Sequence, residues 1–350
     1  MSSPEHIRSQ MLMKQPNRML KTFLSAAGAS ALVFSFIDLF YGPIETKMVG
    51  YNLKRQVLGG ILLGLGMNAG GACPGTVLAQ IGNALKEQHW GNFKRAIATL
   101  LGSFAGAALF SSQHDRIRNS LGGFGGKWTL MDVTGVESYW KLGFPFAAIM
   151  YGIVLSVSNI ENMWNSNLLT NGKINKFSFE TLKAESLEAT ETSAVCGTAI
   201  GLLQAPFYIF GRVHLGTSTT YVTLIEPFIR NAYTESVSLS KNAFQVLSNL
   251  GIVMGSYFAS SQAEHRLETA IVEQSDKRGV VEKYWRPFIS GALLVGGARL
   301  MGGCTSGHGL SGMGLLSIPS FIAVASMFGA GIAAGHVENY FSDDKKKRNE

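Results

Sequence analysis

Residues 56–85 contain no Asp, Glu, Lys, Arg or His, yet they cannot form one plain membrane helix. As a straight helix these 30 residues would rise about 45 Å, well beyond a hydrocarbon core of about 30 Å. The run is also interrupted by Gly70-Gly71-Ala72-Cys73-Pro74-Gly75. Two shorter helical pieces with a break between them are therefore expected. A second glycine-rich stretch, residues 291–314, lies within residues 287–335, where Arg299 and His308 are the only ionisable residues apart from Cys304.

The two stretches are related. A shift of 231 residues superimposes Arg55, Gly60, Leu62, Leu63, Gly66, Gly71 and Cys73 on Arg286, Gly291, Leu293, Leu294, Gly297, Gly302 and Cys304 without a gap. Each core is followed by an apolar segment with a GxxxG pair, Gly102/Gly106 in one half and Gly331/Gly335 in the other. Glycine is abundant, so coincidence is the competing explanation. Matched, interrupted hydrophobic segments in two halves nevertheless point to a transporter binding site. The expected fold is an all-α polytopic membrane protein of two pseudo-symmetric halves whose broken helices meet at a central pore.

Composition agrees with a membrane setting. Charged residues are 15% of the chain, against about 25% in soluble domains. The 41 glycines suit helices whose backbones approach closely. The net charge of +7 comes from termini and loops, with Arg8, Lys14, Arg18 and Lys21 at one end and Lys345, Lys346, Lys347 and Arg348 at the other. No basic helix interleaved with aromatics is visible, so the expected partner is the lipid bilayer and not nucleic acid. Both basic ends are expected on the cytoplasmic side. Three cysteines without a CxxC spacing argue against a disulfide framework, and no cleavable signal is expected. The domain reading is a basic arm (1–21), a first membrane half (22–160), a polar linker (161–193), a second membrane half (194–340) and a charged tail (341–350).

A helix broken inside a membrane leaves backbone groups that must face protein or water. The start of the second piece presents free N–H donors and partial positive charge, which attract anions. Pro74 suits the first helical position, followed by Gly75 and Thr76. Thr305, Ser306 and Gly307 offer a similar nest in the other half. Cys73 and Cys304 sit at the breaks, and a polarizable thiol suits a sulfur-containing anion better than a hard oxyanion. A buried cysteine is ordinarily a small hydrophobe, but duplication at one register favours function.

Arg299 is an intramembrane cation and a functional candidate by default, with bracing of freed carbonyls as the alternative. His308 lies four residues after Cys304, a spacing that on a regular helix brings thiolate and imidazole together. Two ligands are too few for a metal site, and a cysteine–histidine nucleophile pair would lack an orienting acid. Cys196 lies outside both cores and is a weak candidate. Arg212, His214 and Glu226 border the same region and are expected at the membrane interface.

The stretches GGARLMGGCTSGHGLSG (residues 296–312) and GMNAGGACPGTVLAQ (residues 66–80) closely resemble the YeeE/YedE sulphur-transport family. The resemblance implies an inner- or plasma-membrane protein that takes up thiosulfate, with an organellar membrane as the alternative location. It also implies inverted halves, short membrane-inserted helices converging on a narrow pore, and thiosulfate passed between cysteines by S–H to sulfur hydrogen bonds. Cys73 and Cys304 match the two motif cysteines; Cys196 matches no motif. The expected function is transport of thiosulfate or a related sulfur-containing anion, without enzymatic chemistry. A downstream sulfurtransferase is a candidate partner. No Walker A loop is present, and no cofactor or metal is expected. The alternative reading is a membrane sulfurtransferase carrying a persulfide on Cys304, with His308 as base; a third is a structural membrane scaffold.

Overall fold

Helices follow the uncharged runs, and glycines decide where they end and how closely they pack. The computed structural model describes residues 7, 11–12, 17–44, 49–88, 90–170, 176–230, 239–260 and 280–349. In chain order these form α1 (Arg18–Tyr41), α2 (Leu53–Gly70), α3 (Pro74–Lys86), α4 (Trp90–Ser112), α5 (His114–Leu121), α6 (Leu130–Thr134) and α7 (Trp140–Thr170). There follow α8 (Lys176–Leu202), α9 (Gln204–Gly211), α10 (Ser218–Arg230), α11 (Leu239–Ala259), α12 (Val280–Met301), a π-helix (Thr305–Gly312) and α13 (Ile318–Asn349). Among the described residues no strand forms beyond a single bridge between Thr129 and Ser317.

Six of the described helical segments are long and apolar enough to cross a membrane, and Lys283–Met301 with Thr305–Gly312, bent by 43°, makes a seventh candidate. The 56–85 run divides as its length demands: α2 ends at Gly70 and α3 begins at Pro74. Two stretches read as polar loop or linker contain helix. Residues 114–141 hold α5 and α6 and the first residues of α7, and the described parts of 161–193 belong to α7 and α8. Most of the charged stretch 264–286 lies outside the described residues.

Gly71 and Gly302 close the two core helices at φ +62° and +91°. That region penalises any side chain with a Cβ, which explains glycine at both equivalent positions. Arg55 donates from Nε to the Leu300 carbonyl at 3.0 Å. Its repeat counterpart Arg286 donates from Nε to the Ala69 carbonyl at 3.3 Å. Each core helix therefore satisfies a carbonyl at the end of the other.

The same reciprocity governs packing. A Cβ on Gly66 would stand 3.0 Å from the Leu294 nitrogen, and one on Gly297 would stand 2.6 Å from the Leu63 nitrogen. Gly59 meets Met301 while Gly70 meets Ser290, so α2 and α12 run antiparallel. α4 then packs on α12 and α13 packs on α2, each outer helix against the core helix of the other stretch. Gly102 and Gly106 lie against the carbonyls of Phe288 and Ala292, the close approach that a GxxxG pair permits. The core at this crossing includes Leu63, Met67, Leu294, Met301, Cys304 and Met327, all fully buried. Ile7 and Met11, from the basic arm, are buried in it too.

A second packing region joins α1 to α7 and α8. Lys21 is fully buried and its Nζ lies 2.6 Å from Glu161 Oε2. Ser186 Oγ donates to the same carboxylate at 2.9 Å. Asn17 donates to Oε1 from its backbone and side chain. Lys21 also donates to Thr190 at 2.9 Å. Removing one partner of such a pair strands a buried charge, which costs about 3–5 kcal/mol. Lys21→Met should therefore lower the thermal unfolding midpoint of detergent-solubilised protein clearly, and Lys21→Met with Glu161→Met should recover much of the loss. A single variant as stable as the wild type would contradict this account.

Candidate functional site

Both broken helices place a cysteine at the residue before the helical piece begins. Cys73 is extended (φ −113°, ψ 170°) ahead of α3, and Cys304 is extended (φ −101°, ψ −169°) ahead of the π-helix. That position ordinarily carries a Ser, Thr, Asp or Asn oxygen to accept a free N–H. Here sulfur takes the role: the Cys73 sulfur faces the backbone N–H groups of Gly75 and Thr76, and the Cys304 sulfur faces the N–H of Gly307. Thr76 fixes the first turn, its Oγ1 accepting from Cys73 N at 2.6 Å and donating to Cys73 O at 3.1 Å. Gln80 Nε2 donates to the Gly71 carbonyl at 3.0 Å and ties the two pieces together across the break.

Cys304 is fully buried and Cys73 half-buried. The two are close enough to interact electrostatically. Tyr221 interacts with both and donates its hydroxyl to the Pro74 carbonyl at 2.7 Å. Ser306 Oγ lies 3.2 Å from the Cys304 sulfur. Thr305 points into soft surroundings, donating to Met327 Sδ at 3.4 Å. A π-helix is rare and often found at functional sites; this one opens on the thiol itself.

His308 turns away from Cys304. Its Nε2 lies 3.1 Å from the Met301 carbonyl, which can only accept, so Nε2 carries the proton. Its Nδ1 then accepts from Ser320 Oγ at 2.9 Å. Both ring nitrogens are engaged in bracing the break, and among the described residues no third ligand-type side chain makes a metal cluster there.

Arg299, in the last turn of α12, lies within electrostatic reach of Glu226 and Cys304, and its Nε is buried without a hydrogen-bond partner. Glu226 is itself buried at 6% exposure, so it belongs to the interior and not to the interface expected from its sequence position. His214 is likewise inside, stacked on Tyr208 and edge-on to Phe34. Cys196 is exposed on α8, and the structure does not bring it to the other two thiols.

Sequence reasoning missed a third element. Thr217 and the start of α10 enter between the two breaks: Thr217 Oγ1 lies 3.4 Å from the Cys304 sulfur, and its methyl carbon would stand 3.2 Å from a Cβ on Gly75. The Ser218 hydroxyl faces the same sulfur. The available signal was the hydroxyl run Thr217-Ser218-Thr219-Thr220-Tyr221 inside an apolar segment.

A multi-pass helical membrane protein with paired thiols at helix starts is the class that this fold and site define. The chain matches the family described as sulphur transport over residues 1–333, and it belongs to that family, the YeeE/YedE sulphur transport family. No curated protein matches it. It is thus a sulfur-related membrane transporter.

Proposed function

We propose that this chain carries thiosulfate or a related sulfur-containing anion across the membrane, handing its sulfur between Cys73 and Cys304. The observation that carries the reading is the repeated placement of a thiol at the start of a helical piece, where N–H donors and a partial positive charge favour an anion. A thiol donates weakly to sulfur, so the anion is held loosely enough to leave. Arg299, with a donor to spare near Cys304, raises the local positive potential.

The two halves are read as inverted repeats around a central path. Support comes from the reciprocal Arg55–Leu300 and Arg286–Ala69 contacts, at positions separated by the same 231 residues. Antiparallel core helices that exchange equivalent contacts are what a two-fold axis across them produces. In this reading a plasma or inner membrane houses the protein, and a sulfurtransferase on the receiving side consumes the cargo.

The competing persulfide chemistry needs a base at Cys304, and His308 has both ring nitrogens engaged elsewhere. Mass spectrometry of the purified protein after thiosulfate exposure separates the two. Passage predicts no stable added sulfur on Cys304, whereas a +32 Da adduct (the mass of one sulfur, about 32) surviving gel filtration would overturn it in favour of a transferase.

A further inference from the structure

Thr217 is held in place from three sides. Its N–H donates to Ser306 Oγ at 3.3 Å, its carbonyl accepts from Asn249 Nδ2 at 3.0 Å, and its methyl rests on Gly75. Only the hydroxyl is left to choose a partner, and it is aimed at the Cys304 sulfur. Ser306 Oγ, having accepted from Thr217, keeps its own proton to donate. Thr217, Ser218 and Cys304 are all at most 6% exposed, so a ligand that reaches the thiol meets these hydroxyls in a water-poor setting. The segment is anchored further along by Ser311 Oγ, which donates to the Leu215 carbonyl at 2.9 Å and accepts from Gln204 at 2.7 Å.

Sulfur is a weak acceptor, whereas a charged oxygen is a strong one. A hydroxyl whose present acceptor is a thiol therefore gains when an anionic oxygen replaces it. Cys73 has a different setting, with backbone N–H groups and Thr76 around its sulfur. The hydroxyl-rich side of the site belongs to Cys304.

We propose that Thr217, with Ser218 and Ser306, determines specificity: these hydroxyls hold the oxygen end of an anion whose terminal sulfur rests on the Cys304 thiol. The inference rests on the transport reading above and narrows its substrate class. The favoured ligands carry a soft terminal sulfur bonded to a group bearing hard oxygens, as in thiosulfate and alkyl thiosulfonates. Sulfate offers only the hard end and thiocyanate only the soft one.

The test is uptake of labelled thiosulfate into proteoliposomes by wild type, Thr217→Val and Thr217→Ser, with methanethiosulfonate and thiocyanate as competitors. Wild type should be inhibited by methanethiosulfonate and hardly by thiocyanate. Valine keeps the branched shape and removes the donor, so KM for thiosulfate should rise about tenfold or more. Its preference for methanethiosulfonate over thiocyanate should shrink by a similar factor, and serine should restore both close to wild type. Wild-type KM and competition in Thr217→Val would overturn the inference, as would a serine variant that fails like valine, which would assign Thr217 a packing role through its methyl group. A wild type that moves no thiosulfate would overturn the transport reading and the inference with it, a result distinct from transport that ignores Thr217.

Discussion

Gly291→Ala should prevent stable assembly of the membrane core. A Cβ at this position would overlap the Thr99 carbonyl oxygen and stand 2.7 Å from the Ser103 nitrogen. Both obstacles are backbone, so no rotamer change relieves them. α4 cannot retreat from α12 cheaply either, because Gly102 and Gly106 fit against Phe288 and Ala292 on the same interface. Overpacking a well-packed core costs about 1–3 kcal/mol, and an obstacle of backbone alone places this variant at the upper end or beyond. Gly329→Ala is the matched control, since nothing lies within 4 Å of its added Cβ. Thermal unfolding and gel filtration in detergent should show Gly291→Ala aggregated or strongly destabilised and Gly329→Ala unchanged. Equal behaviour of the two would contradict the packing described for α4 and α12.

Cys304→Ala should lower thiosulfate uptake about 10- to 100-fold, the effect of losing one hydrogen bond to a charged group. Cys73→Ala should act in the same direction. Neither change should unfold the protein: Cys304 packs as a small apolar residue in the core, and the first turn of α3 keeps the Thr76 bonds that fix its geometry. Serine at either position is the sharper probe, because it preserves size and replaces a soft group by a hard one. Cys73→Ser and Cys304→Ser should lose thiosulfate uptake while remaining folded. Cys196→Ala should transport normally, since that thiol is exposed on α8 and stands apart from the breaks. Uptake that depends on Cys196 and ignores the other two would contradict the site.

The legible parts of this molecule were those in which one local stretch carries the constraint. The break at residues 70–75 could be read because an uncharged run was too long and contained paired glycines and a proline. The register of the two cores could be read because Arg55 and Arg286, Gly71 and Gly302, and Cys73 and Cys304 recur at one offset. Contacts between distant segments left no such trace. Thr217 meets Cys304 across 87 residues, and Lys21 meets Glu161 across 140. Neither pairing follows from composition or periodicity. Glu161 read as the start of a polar linker because its charge is visible in sequence and its neutralising partners are not.

His308 shows a different limit. Its spacing from Cys304 has meaning only on a regular helix, and the chain here adopts a π-helix after a positive-φ turn at Gly302. The ring therefore reaches back to Met301 and across to Ser320, not to the thiol. Arg299 lay between two readings, anion binding and carbonyl bracing. The buried Nε without a partner and the proximity of Glu226 and Cys304 favour the electrostatic role.

The central claim is that paired thiols pass a sulfur-containing anion, and flux through the wild-type protein in liposomes tests it most directly. Purified protein would be offered labelled thiosulfate, sulfite, sulfate and selenite separately, beside protein-free liposomes. The account predicts protein-dependent entry of thiosulfate well above the other three anions. Entry of sulfate equal to that of thiosulfate, or no entry above protein-free liposomes, would contradict it.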